Sequence, residues 1–289
     1  MEAMVEQDSP LLGVLQTLHP NSSTTRLRKM LTQGRVTVND SVVHRATHEV
    51  CIGDVVKVLP RAKAEEITPP PAPTPVDIEV LFEDETLLVV NKPAHQLSVA
   101  TDRLEVDTLH SRCVEHIKRS DQNAWCFIVH RLDRETSGVM VLAKTKDAKR
   151  ELQSQFAERS VHRLYTAKVE GRPDPVTGTV RTWLMEDKHL NVKAVNPDHP
   201  RGKEAISHYS VTSSDESTSM VDVMIETGRR HQIRMAMQHL GSPVVGDERH
   251  GAATNPQGRI LLHASALEFL HPETDDPVRF EAPLPPAFA

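Results

Sequence analysis

Residues 130–138 read HRLDRETSG and lie between the apolar runs AWCFIV and VMVLAK. Here one carboxylate, Asp133, stands between Arg131 and Arg134, and Thr136, Ser137 and Gly138 follow. Two accounts fit these residues alone. In one, Asp133 or Thr136 caps a turn and the guanidinium groups are solvated. In the other, a guanidinium brought close by folding holds Asp133 ionised, leaving a group able to act as nucleophile or base at neutral pH.

A second charged segment, ETGRRHQIRMAMQHLG at 226–241, crowds Arg229, Arg230 and His231 at the start of a helical pattern. Cations there oppose the helix dipole. An anion such as a phosphate would offset them, because the first turn offers free N–H donors; carboxylates from elsewhere in the chain would do the same. Arg234 lies one turn further on a similar face. Tyr165, in RLYTAKVEG, is one of two tyrosines; it is either a core aromatic or a surface on which a base stacks. Motifs for zinc, for a nucleotide phosphate or for a dinucleotide are lacking, so the expected chemistry uses no metal and no cofactor.

The elements that must position these groups follow from periodicity. DIEVLFEDETLLVVNKP reads as two strands around an acidic turn. Leu109, Cys113 and Ile117 are spaced for one helix face, as are Leu152 and Phe156 in KDAKRELQSQFAER. RLYTAKVEG is a strand ending at Gly171. SMVDVMIETG alternates so that Val221, Val223 and Ile225 share a face. HQIRMAMQHLG is a helix stopped by Gly241. Strands and helices do not alternate regularly. The fold class expected is therefore α+β: a mixed, largely antiparallel sheet with flanking helices.

Six of the sixteen residues 60–75 are proline, which suits an extended spacer. The expected division is a small α/β domain at 9–59, a linker at 60–76 and a large domain at 77–289. In the small domain Ser or Thr at 22–25 caps a helix, Leu27, Met30 and Leu31 share its face, and Gly34 ends it. RVTVND and GDVVKVL follow as strands. Arg26, Arg28, Lys29 and Arg35 cluster on this unit, as a solvated helix face or as a basic footprint.

The chain has 289 residues, a net charge of −6 and 38% apolar residues. The acidic total argues against a uniformly basic nucleic-acid binder, but local charge decides contact. Three cysteines without a CxxC pair suit a reducing compartment. No apolar run approaches the ~18 residues of a membrane span, and the acidic start MEAMVEQDSP is unlike a signal peptide. A soluble, cytoplasmic protein is expected.

In order, VLFEDETLLVVNKPA, HRLDRETSGVMVLAKT, RLYTAKVEG, ETGRRHQIRM, GD at 246–247 and RILLHA resemble the RluA-type RNA pseudouridine synthases. Residues 9–59 resemble the S-four-type RNA-binding domain, with Asp40 where that family usually has Gly. The resemblance implies a pseudouridine synthase fold that isomerises uridine without cofactor or metal, in ribosomal or transfer RNA, as a monomer. It implies Asp133 as the catalytic aspartate, leaving open attack on the sugar, attack on the ring, or action as a base. It further implies Arg234 as the partner of that aspartate and Tyr165 as the stacking residue. Arg131 would fill the space a flipped uridine vacates, and Leu262 would line the uracil pocket. Three positions depart from the pattern: His95 for Gly, Ala236 for His and His250 for Tyr. A non-catalytic RNA-binding or ribosome-assembly protein is the alternative function. A glycosidic hydrolase would need a second carboxylate at a defined distance, and Glu135 is too near in sequence.

Overall fold

The computed structural model describes residues 2–60, 77–101, 105, 107–187 and 191–289. These fall into two compact units, within Met1–Val76 plus Val99–Arg112 and within Asp77–Ser98 plus Cys113–Ala289. The segment 99–112 thus groups with the first unit instead of continuing a large domain that begins at 77. The proline-rich stretch 61–76 lies outside the described residues.

In the first unit, strands β1 (Glu2–Met4), β3 (Val36–Val38), β4 (Ser41–Val42) and β6 (Val55–Val58) form a sheet ordered β1-β6-β3-β4. Ser9–Pro10 (β2) pairs with Glu49–Val50 (β5). Because β1 pairs with Val55–Lys57, this unit begins before residue 9. Helix α1 spans Leu11–Leu18 and α2 spans Thr24–Thr32. Ser23 caps α2 by accepting the Arg26 N–H, and Gly34 takes the left-handed φ of 65° that ends it. Leu27, Met30 and Leu31 are buried, packing against Leu11, Leu15, Val36 and Val56. Asn39 and Asp40 both have positive φ, 48° and 64°, as a tight hairpin turn demands. Asp40 serves there without glycine, and its carboxylate reaches Lys57 Nζ at 2.8 Å.

The second unit is built on one large sheet. Its strands are β7 (Glu79–Glu83), β8 (Leu87–Lys92), β9 (Phe127–Ile128), β10 (Ser137–Ala143), β11 (His162–Glu170), β12 (Thr177–Glu186), β13 (Val192–Val195), β14 (Lys203–Ser214), β15 (Thr218–Ile225), β16 (Leu262–Leu270) and β17 (Pro277–Glu281). Their order is β13-β12-β14-β15-β11-β16-β10-β8-β7, with β17 beside β16 and β9 beside β10. The pairing of β10 with β16 is parallel; the other strand pairs are antiparallel. The sheet is therefore mixed and largely antiparallel. Helix α3 (Leu109–Lys118) belongs to this unit from Cys113 onward, and helices α4 (Lys146–Glu158) and α5 (Gln232–His239) belong to it. None of the helices among the described residues is long and apolar enough to cross a membrane.

AWCFIV forms much less strand than its composition suggests. Only Phe127 and Ile128 pair, with Ala143 and Leu142, and Trp125 is exposed. β8 covers one edge of β10 along six residues, and β16 takes the start of the other edge; β9 pairs only with the last two residues of β10.

The start of β10 cannot accept a side chain at Gly138. Its φ is 115°, and a Cβ there would lie 2.1 Å from the Ala264 carbonyl oxygen. The close approach of β10 to β16 thus depends on glycine. Gly138→Ala is expected to destabilise this unit by more than about 2 kcal/mol, combining backbone strain with a main-chain clash. A chemical denaturation midpoint unchanged from wild type would refute that account.

Candidate active site

Asp133 sits at the head of a turn closed by the Thr136 N–H donating to the Asp133 carbonyl at 3.1 Å. The chain on both sides is pinned. Leu132 is buried, its N–H donates to Ser98 Oγ at 3.1 Å, and its carbonyl accepts from the same hydroxyl at 2.8 Å. The Arg134 carbonyl accepts from Lys92 Nζ at 3.1 Å. Ser137 Oγ accepts from Arg259 Nη2 at 2.8 Å and lies 2.9 Å from His263 Nδ1. At the head of the loop, His130 Nε2 accepts the Val141 N–H at 3.1 Å, and its ring stacks on Phe156. Desolvation pushes the His130 pKa down to about 3, with the Arg163 charge adding, so this ring is a neutral anchor. Against this rigid frame the Asp133 side chain is half-buried. No hydrogen bond or ion pair among the described residues engages its carboxylate.

One core cluster joins this loop to the other sequence-marked residues. Leu132 packs with Tyr165 and Ala167 of β11, Ile233 and Ala236 of α5, and Leu262 of β16. Tyr165 lies where the β11–β16 register shifts, between Leu164 and Thr166, and is 9% exposed. Burial raises its phenol pKa to about 12; the Arg163 charge opposes this and the Asp133 charge reinforces it. The phenol is therefore protonated at neutral pH and within electrostatic range of Asp133. Leu262, opposite Ala167 in that ladder, is buried. Arg131 is exposed beside Asp133.

The partner of Arg234 differs from the one the resemblance implies. Its Nε and Nη2 donate to the two oxygens of Asp247, at 2.5 and 2.6 Å. This is a buried, two-pronged pair, with side-chain exposures of 6% and 1%. Asp133 is not the carboxylate that Arg234 grips. Asp247 reaches it because Gly246, with φ 84°, turns the chain so closely against Arg259 that a Cβ would lie 2.1 Å from the Arg259 carbonyl.

The cations at the start of α5 are engaged by the protein itself. Arg229 Nε donates to the Glu204 carbonyl at 2.9 Å, and Arg230 Nη1 meets Glu186 at 2.9 Å. Gln232 Oε1 accepts from Thr227 Oγ1 and from the Arg229 N–H. Of the two accounts left open for this helix end, the Arg230–Glu186 pair is of the kind in which the chain's own carboxylates offset the cations. His231, at φ 55°, turns inward, and its Nδ1 lies 3.0 Å from His250 Nε2. Burial lowers both imidazole pKa values, with the Arg234 charge contributing to each. One ring donates and the other accepts. Asp133 also acts electrostatically on His250, so His250 joins the same site.

Lys92, which sequence reasoning did not single out, braces the turn that carries Asp133. It ends β8 fully buried, and its Nζ donates to the Pro93, Gln96 and Arg134 carbonyls at 2.8, 2.7 and 3.1 Å. Burial pushes its pKa down to about 7, although the Glu135 and Asp133 charges oppose the fall. Between about pH 7 and 10.5 the unfolded chain therefore binds a proton that the folded protein does not. Stability should rise with pH across that window, by up to about 1.4 kcal/mol per pH unit. Denaturant titrations of wild type and Lys92→Met at several pH values check this: the slope should be present in wild type and smaller in the variant. Equal slopes would refute it. The sequence signals for Lys92 were a charged residue closing the apolar run LLVVN and its place in the motif VLFEDETLLVVNKPA.

The basic residues of the first unit lie as the helical pattern requires. Arg26, Arg28 and Lys29 are exposed on α2, and Arg35 is partly buried with Nε donating to the Leu59 carbonyl. Among the described residues no group of three or more His, Cys, Asp or Glu is placed to hold a metal ion.

Known proteins resemble this chain in sequence and in fold. A family model described as RNA pseudouridylate synthase matches residues 86–239. The ribosomal large subunit pseudouridine synthase D of Neisseria meningitidis is 35% identical over 285 residues, covering 94% of this chain and 75% of that protein. The synthase of the same name from Xylella fastidiosa is 34% identical over 295 aligned positions, covering 94% and 85%. The solved structure of human RNA pseudouridylate synthase domain containing 4 superposes with a TM-score of 0.62 at 24% identity, covering 73% of this chain and 90% of that one, a likeness of fold. With the family model spanning more than half of the chain and relatives above 30% identity matched along nearly all of it, the chain belongs to the RluA-type RNA pseudouridylate synthase family and is an RNA-modifying isomerase.

Proposed function

We propose that this enzyme isomerises specific uridines of ribosomal RNA, with Asp133 as the reacting carboxylate. Isomerisation breaks the bond from ribose C1′ to uracil N1 and forms one from C1′ to C5. The proton leaves C5 and N1 gains one, so no redox partner is required. The observation that carries the reading is the free Asp133 carboxylate. It is half-buried on a turn fixed on both flanks, while Arg234, the guanidinium that the resemblance pairs with it, is occupied by Asp247. A group so rigidly presented and so little engaged suits contact with a substrate.

In this reading Tyr165 offers a protonated aromatic edge beside the target base. Leu262 supplies apolar wall, and Arg131 lies at the solvent side where the displaced nucleotide leaves its helix. The α2 cations Arg26, Arg28 and Lys29 give the first unit a phosphate-binding face. The ribosomal substrate is supported by the names of the matched relatives. The test is pseudouridine mapping on in vitro transcribed large-subunit ribosomal RNA, treated with wild type or Asp133→Asn. Site-specific pseudouridine with wild type alone supports the proposal. No product with either protein removes the ribosomal assignment.

A further inference from the structure

His95 occupies a position at which a side chain is unfavourable. Its φ is 64°, in the left-handed region that favours glycine, although histidine is among the residues that enter it more often. The residue is nonetheless tied to the Asp133 turn twice. Its carbonyl accepts from Arg134 Nε at 3.1 Å, and its imidazole Nδ1 lies 2.6 Å from Glu135 Oε2. One residue of the loop after β8 therefore grips the two residues that follow Asp133. The distance is that of a short hydrogen bond to a carboxylate, with the imidazole N–H donating.

Other cations also act on Glu135. It meets Arg134 Nε at 3.9 Å, and it interacts with the charges of Lys92 and Arg259. Without the imidazole, Glu135 is left to these. The turn's main chain would still be held through Ser98 and Lys92. The loss would fall on the orientation of residues 133–135, and less on the fold.

We propose that His95 is a positioning residue: its imidazole fixes Glu135 and thereby sets the orientation of the Asp133 turn for reaction. This rests on the assignment of Asp133 as the reacting group. Misplacement of a reacting group by a fraction of an ångström to 1 Å lowers rate by one to two orders of magnitude, so the expected effects are large enough to resolve.

The test uses the full chain, in vitro transcribed large-subunit ribosomal RNA, and four variants: His95→Gly, Glu135→Gln, the double variant and Asp133→Asn. Glycine suits the left-handed backbone, so His95→Gly should keep the wild-type melting temperature or exceed it. Each single variant should lose about tenfold in kcat with KM within about twofold of wild type. The double variant should be no slower than the worse single, because both remove one contact. The proposal is overturned by His95→Gly with a kcat within about twofold of wild type, or by losses that multiply in the double variant. If Asp133→Asn is inactive while His95→Gly is normal, the positioning role fails and the role of Asp133 stands. If Asp133→Asn is fully active, the assignment beneath both fails.

Discussion

Asp133→Asn is expected to lower pseudouridine formation by at least about a thousandfold, the scale on which removal of a reacting group registers in kcat. The same change should leave the melting temperature within about 3 °C of wild type, the shift expected for less than about 1 kcal/mol in a chain of this size. The argument for the small second number is structural. The Asp133 carboxylate makes no hydrogen bond or ion pair among the described residues, and the turn it heads is held by main-chain groups and by Ser98, Lys92 and Ser137. Asparagine has the same shape and leaves those contacts intact. The argument for the large first number is chemical: a neutral amide neither attacks carbon nor removes a proton as a carboxylate does. Full-length protein, a melting curve and a single-turnover assay on ribosomal RNA measure both. Activity within tenfold of wild type would remove Asp133 from the chemistry.

How much of this was legible in the sequence depends on the physical kind of signal. Side-chain periodicity was readable, because the period of a strand or helix is local. Val221, Val223 and Ile225 line the buried face of β15, and Leu109, Cys113 and Ile117 that of α3, as their spacing requires. Conformational glycines were readable for the same reason: Gly34, Gly171 and Gly241 all end elements with positive φ. The density of charge in HRLDRETSG set the loop apart, since a plain β connection has no need of it.

Pairing across the fold was not readable. Arg234 was matched to Asp133 by family resemblance, and the structure matches it to Asp247, thirteen residues on in a turn of its own. Nothing in local spacing separates two candidate carboxylates for one guanidinium. Lys92 was hidden for a related reason. A lysine at the end of an apolar strand is ordinarily solvated, and only the convergence of the Pro93, Gln96 and Arg134 carbonyls shows why this one is buried. His250 was visible as an unusual residue, but its contact with His231 depends on α5 and the turn at 246–250 meeting in space. The two-residue length of β9 is set by where it meets the end of β10, which AWCFIV itself does not contain.

The buried Arg234–Asp247 pair leads to the second large effect. Asp247→Ala is expected to destabilise the protein by about 3–5 kcal/mol, because it strands a guanidinium that is almost wholly shielded from water. Arg234→Met should cost a similar amount by stranding the carboxylate. Replacing both, as Arg234→Met with Asp247→Leu, removes the stranded charge, and the stability should return most of the way to wild type. Activity should not return with it. α5 carries Ile233 and Ala236 into the same cluster as Leu132 and Tyr165, and Arg234 and Asp247 both act on the His231–His250 contact that borders Asp133. Denaturant titration and a kinetic assay on the three variants separate the two roles. Stability restored together with activity would make the pair a structural strut alone. Stability restored without activity would show that this fork, though it does not touch Asp133, shapes the ground on which Asp133 works.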